Sequence, residues 1–161
     1  MEDLNEFIGQ AKTALDEKGR TPVPREFRRL LSDEESKSLI VSFGIRDTLI
    51  LWTVEEYRKF VEHIEARPVT PKNVNFRRLF KANSHQVSLD GQNRILLSKA
   101  DKTYAKLDGE VLYVARSGKS AELWNPSIYN SMHGFNTEED YQEFSGGFFD
   151  DVSLGSADEN R

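Results

Sequence analysis

One six-residue pattern in this chain recurs with its leucine, aspartate and arginine kept. Leu15-Asp16-Glu17-Lys18-Gly19-Arg20 returns 74 positions later as Leu89-Asp90-Gly91-Gln92-Asn93-Arg94. Leu49-Ile50-Leu51-Trp52 is echoed 72 positions later by Ala121-Glu122-Leu123-Trp124, and these hold the only two tryptophans. Two landmarks with nearly one offset point to an internal duplication, in which each unit needs the other to bury its apolar face. A chain of 161 residues has room for one domain, or for two small halves sharing a core, and not for a large multidomain enzyme.

The two halves read alike. The first gives a strand over Gln10–Leu15, a tight turn at Asp16–Gly19, a short strand over Arg20–Val23 and a helix opening at Pro24, where proline suits a first helical position. On that helix Phe27, Leu30 and Leu31 make the buried stripe, with Arg25, Arg28 and Arg29 facing outward. Strands at Leu39–Phe43 and Thr48–Trp52 follow, joined by a turn at Gly44–Asp47. Thr53 with Glu56 forms a capping-box pattern ahead of a helix running to about Ala66, with Val54, Tyr57, Val61 and Ile64 on one face. Arg67-Pro68 ends it, and Thr70-Pro71 opens a bridging helix to about Ala82. The second half then predicts strands at His85–Leu89 and Arg94–Leu97, a helix near Lys99–Leu107, strands at Val111–Arg116 and Ala121–Trp124, and a last short helix after Asn125-Pro126.

Charge separates the end of the chain from the rest. The net charge of −5 would argue against nucleic acid, but residues 134–161 hold eight acids against Arg161 alone, which leaves residues 1–133 at +2. That acidic, Gly- and Ser-containing tail, with aromatic spots at Phe135, Tyr141, Phe144, Phe148 and Phe149, is expected to be mostly disordered. No apolar run approaches the about 20 residues needed to span a bilayer. The acidic start Met1–Glu6 lacks the pattern of a signal peptide, and with no cysteine in the chain a cytoplasmic location is expected, without disulfides or thiolate metal sites.

The run Leu-Asp-Glu-Lys-Gly-Arg, a short strand, then Val23-Pro24-Arg25-Glu26-Phe27-Arg28 and a helix, resembles the signature of the MraZ family, whose halves belong to the AbrB/SpoVT class of swapped-hairpin barrels. Leu89-Asp90-Gly91-Gln92-Asn93-Arg94-Ile95-Leu96-Leu97 is similar to the second family motif, and Glu122-Leu123-Trp124 resembles its closing strand, so the likeness covers roughly residues 8–133. It implies a β-rich α+β fold of duplicated AbrB-like swapped-hairpin, double-ψ-type barrel halves with flanking helices and the disordered acidic tail. The expected layout is a first half at 8–66, a bridging helix at 67–83, a second half at 84–133 and the tail at 134–161. The resemblance implies further a bacterial, nucleoid-associated transcriptional regulator. It would bind repeated double-stranded DNA sites upstream of the division and cell-wall gene cluster, as a ring-shaped, octamer-like homo-oligomer. The alternative from the same class is an antitoxin-like interaction module whose acidic tail binds a partner protein.

In that family the Asp-x-x-x-Arg loops face DNA, which carries over to Asp16, Lys18, Gly19 and Arg20, and to Asp90 and Arg94 of the second loop. The second loop departs from the family pattern. It lacks the lysine, has Asn93 in place of glycine, and is followed by Ser98 in place of proline, changes that bear on its DNA role more than on its fold. The chemistry suits the assignment. Arginine presents a planar fork to the O6 and N7 edge of guanine, and Lys18 can reach a phosphate or the same edge. Asp16 can hold the loop's amides or the Arg20 guanidinium, and so shapes the turn. Arg25 and Arg28, with Arg29, are either a solvated helix face or phosphate contacts beside the loop. Arg77-Arg78 reads as structural, and both tryptophans as core anchors. Catalysis is not expected and no cofactor or metal is implied, because His63, His85 and His133 are scattered and no phosphate-binding glycine loop is present.

Overall fold

A computed structural model describes residues 4–133 and the backbone of 138–158, with side chains to residue 149. The chain divides into two compact units, Met1–Pro126 and Ser127–Arg161.

The first unit is a mixed α+β fold built mostly on antiparallel pairing. It runs β1 (Gln10–Ala14), β2 (Arg20–Pro22), α1 (Arg25–Arg28), α2 (Asp33–Lys37), β3 (Leu39–Phe43), β4 (Leu49–Thr53), α3 (Val54–Glu65), α4 (Pro71–Ala82), β5 (Ser84–Val87), β6 (Arg94–Leu96), α5 (Lys99–Tyr104), β7 (Glu110–Ala115) and β8 (Ser120–Trp124). Six strands form one sheet in the order β1-β7-β8-β4-β3-β5, and β2 pairs with β6 in a separate two-stranded ribbon. Exchanging β1 with β5, β2 with β6, β3 with β7 and β4 with β8 maps this order onto itself. The strands of the two sequence repeats therefore interleave: β1 pairs with β7, β3 with β5, and β4 with β8 across the centre.

Alternation along β3 and β4 explains two cores. Leu39, Val41, Leu49 and Leu51 face a cluster that also takes Phe7, Phe27, Ile95, Leu97, Tyr113 and Leu123. Ile40, Ile50 and Trp52 face the other way, under Ile64 and Phe80 of α3 and α4. Trp52 donates its indole N–H to Ser42 Oγ at 2.8 Å, and the Arg116 guanidinium lies 4.5 Å from its ring centre. Trp52 and Trp124 are both buried, as core anchors should be.

Helix ends follow side-chain chemistry. Thr53 caps α3 by accepting from the Glu56 amide, and Thr70 caps α4 with Pro71 as its first residue. Ser98 and Asp101 close a reciprocal capping box on α5. The helix expected from Pro24 is shorter than the apolar spacing suggests: α1 stops at Arg28, and Leu30 and Leu31 continue in tighter i to i+3 bonds to Phe27 and Arg28. Likewise α5 ends at Tyr104, short of Leu107, because Lys106 turns to a positive φ of 54°. Helix α2 has no counterpart among the sequence expectations. It buries no residue, and its one local signal is the capping box Ser32-x-x-Glu35.

Helix α6 (Pro126–His133) begins at the last residue of the first unit, where the last short helix was expected, and its remaining residues belong to the second. The tail departs from its expected disorder, because Glu138–Asp158 forms a helix, α7. Glu138, Glu139 and Asp140 occupy its first turn, where carboxylates complement the helix dipole. Tyr141, Phe144 and Phe148 recur at i, i+3 and i+7, spacing that fits a helix face. The rest of the tail, 134–137 with Phe135 and 159–161, lies outside the described residues.

Candidate nucleic-acid interface

The two repeated loops are built by the same hydrogen bonds. In the first, Asp16 Oδ1 accepts from the amides of Lys18 (3.0 Å) and Arg20 (2.9 Å), while Oδ2 accepts from Arg20 Nε at 2.6 Å. In the second, Asp90 Oδ1 accepts from the amides of Gln92 (2.8 Å) and Arg94 (3.0 Å), and Oδ2 from Arg94 Nε at 2.9 Å. Each turn is closed by the aspartate amide donating to the arginine carbonyl. These donors, led by the arginine backbone amide in both cases, hold the Asp16 and Asp90 carboxyls below the usual range. Each aspartate thus shapes its loop and fixes the direction of its arginine. Because Nε is bound, the two terminal nitrogens of each guanidinium keep their four N–H donors, and among the described residues no acceptor takes them.

Both loops need a residue that tolerates a left-handed backbone at the fourth position. Gly19 has φ +91°, and a Cβ there would lie 2.5 Å from the Leu97 carbonyl oxygen. Asn93 occupies the matching place at φ 61°, which asparagine accepts more readily than most side chains. The close approach at Gly19 comes from pairing, since Leu97 donates its amide to Gly19 O, and in mirrored fashion Val23 donates to Asn93 O.

The two loops meet on one ribbon. Register opposes Arg20 to Leu96, Thr21 to Ile95 and Pro22 to Arg94. Thr21 and Ile95 are buried, so Arg20, Pro22, Arg94 and Leu96 share the opposite, outward face. Arg20 and Arg94 are diagonal neighbours on that face, with backbones about 7–8 Å apart. The inner face is anchored by hydroxyls: Thr21 Oγ1 meets Thr13 Oγ1 at 2.9 Å and accepts from Tyr113 Oη at 3.2 Å, and burial pushes the Tyr113 phenol up so that it stays a donor.

The remaining sequence candidates fall at different distances from this face. Lys18 is exposed beside Arg20, and Arg25 is exposed at the start of α1. Arg28 is half-buried and donates Nε to the Val23 carbonyl at 2.9 Å, so part of its guanidinium braces the end of β2 instead of standing fully in solvent as an outward helix face requires. Arg77 donates to the carbonyls of Glu65 and Arg67, closing the C-terminal end of α3. One pair had no sequence signal. His85 Nε2 lies 2.6 Å from Oδ2 of buried Asp101, the same oxygen that accepts from the Ser98 amide. The bond to Asp101 raises the His85 pKa against the opposing effect of burial. His85 lines a cleft of about 430 Å³ with Lys18, Val87, Leu96 and Ser98. Among the described residues no cluster of side chains could hold a metal ion, and no helix is long and apolar enough to cross a membrane.

Comparison with known proteins agrees with the repeated motif. Residues 7–78 match a family model described as "MraZ protein, putative antitoxin-like". A protein of Carboxydothermus hydrogenoformans named transcriptional regulator MraZ is 33% identical over 126 residues, which is 78% of this chain and 85% of that protein. A protein of the same name from Thermoanaerobacter pseudethanolicus is 26% identical over 140 residues, 86% of this chain and 94% of the relative. With the 33% identical relative matched over most of both chains, and with the family model spanning the first loop, this chain belongs to the MraZ family.

Proposed function

We propose that the protein is a sequence-specific DNA-binding transcriptional regulator that presents the outer face of the β2–β6 ribbon to the major groove. The observation that carries this reading is the ribbon itself. Its buried inner face fixes it to the sheet, while its outer face carries two arginines, each aimed by its own aspartate with terminal donors outward. A two-stranded ribbon fits the major groove, where arginine pairs with guanine O6 and N7. Lys18 and Arg25 serve phosphates at its border, with Arg28 contributing less because it is tied to Val23. The relatives named transcriptional regulators support the same direction.

The interleaved, self-mapping strand order supports the duplicated swapped-hairpin architecture, with repeat units at 8–66 and 84–133 joined through 67–83. Repeated sites ahead of the division and cell-wall genes, a nucleoid location and a ring-shaped homo-oligomer complete the proposal. A second reading is favoured by the exposed Phe144 and Phe148 on acidic α7, which suit an antitoxin-like contact between the tail and a basic partner protein.

The test is fluorescence anisotropy on DNA from directly upstream of the protein's own gene, across a salt series. Wild type should bind it saturably, better than random DNA, and with affinity falling as salt rises. Arg20→Ala should lose the preference while remaining folded, and Arg94→Ala should lose part of it. A chain ending at residue 133 should still bind, and loss of binding there would turn attention to the tail. Equal affinity of wild type for upstream and random DNA sinks the regulator reading.

A further inference from the structure

Two of the four residues on the outer face of the ribbon are not arginines. Leu96 is 54% exposed, although its neighbours Ile95 and Leu97 are buried at 1% and 2%. It stands directly opposite Arg20, and its mirror position, opposite Arg94, is held by Pro22. Directly opposed residues in an antiparallel pair keep their Cβ atoms about 4.5–5.5 Å apart. The outer face therefore alternates arginine and apolar side chains on both strands, with no polar group other than the guanidiniums.

We propose that Leu96, with Pro22 in a lesser role, reads thymine through its C5-methyl group next to the base pair that Arg20 contacts. The inference rests on the ribbon being the DNA-facing element. Thymine is the base that offers an apolar group in the major groove, and apolar side chains recognise it by contact. Once Asp16 has directed the Arg20 fork toward a guanine edge, the leucine beside it lies within reach of a neighbouring base step. Its isobutyl group, with no donor or acceptor, matches a methyl and mismatches the polar edges of the other bases. Proline presents less side chain and lacks an N–H, so the mirror site offers a weaker version of the same contact.

The probe is a duplex pool selected from a random library on the wild-type chain, then resynthesised with deoxyuridine in place of thymidine, which removes the methyl group and keeps the pairing. Wild type should bind the uracil pool roughly four-fold more weakly, the worth of one buried methyl group. Leu96→Ala should bind the thymine pool more weakly by a similar factor and lose most of the difference between the two pools, the remainder belonging to Pro22. Leu96→Met should restore part of the difference. The inference is overturned if wild type binds both pools equally, if Leu96→Ala keeps the wild-type discrimination, or if light scattering shows that Leu96→Ala changes the oligomeric state. Arg20→Ala on the thymine pool separates the two levels of argument. Unchanged binding by that variant removes the ribbon from DNA altogether, whereas its loss beside an unaffected Leu96→Ala leaves the ribbon in place and removes only the methyl contact.

Discussion

At the scale of single residues, the loops turn on what stands before each arginine. Gly19 combines a φ that side chains avoid with a backbone oxygen 2.5 Å from where a Cβ would sit. Neither strain can be relieved without separating Gly19 from Leu97, whose amide it receives. Gly19→Ala is therefore expected to destabilise the fold by about 1–3 kcal/mol. Gly91, in the other loop, has nothing within 4 Å and no positive φ, so Gly91→Ala should be neutral or gain up to about 1 kcal/mol. Urea unfolding of the two variants checks the contrast, and equal losses would contradict it. The need for glycine or asparagine before the arginine was legible in the sequence, because the position repeats. The Leu97 carbonyl that makes glycine the better choice at residue 19 was not, since it arrives from the opposite repeat.

At the scale of elements, the sequence disclosed strands and helices through local periodicity and capping, and missed what depends on distant partners. The pattern of β2 contains nothing that names β6 as its neighbour, so the arginines read as two separate loops and only pairing puts them on one face. Helix α2 was missed because Ser32–Lys37 has no apolar residue to carry a period. The His85–Asp101 pair joins β5 to the first turn of α5 across 16 residues. Its consequence is a pH dependence with a defined sign. The folded His85 pKa is raised above its unfolded value, so the pair's contribution to stability is complete below about pH 6.5 and is lost as pH rises through the folded value. Wild type should thus lose urea resistance as pH rises above about 6.5, relative to His85→Gln, which keeps a polar group without the titrating charge. Parallel pH profiles for the two proteins would show that the pair does not couple to folding. Lys18 is the other charged side chain that lines this cleft.

At the scale of the whole molecule, one ribbon supplies few contacts, and two arginines with a lysine are a small footprint for a regulator. The proposed homo-oligomer answers this by repetition, since linked copies can raise avidity by about 10²–10⁴ without any new contact. Identical ribbons on one face of an assembly can engage one duplex together only if their sites lie on the same side of the helix, which returns about every 10–10.5 base pairs. Spacing should therefore matter as much as sequence. On duplexes carrying two copies of a selected site, affinity should be high at one or two helical turns, and about 5 inserted base pairs should reduce it toward the single-site value. A further 5 should restore it. The same series measured on protein diluted to the monomer, as followed by sedimentation, should show no periodicity. Periodic binding by the monomer, or flat binding by the assembly, would mean that the ribbons do not act in concert, and the small footprint would then require contacts beyond the β2–β6 face.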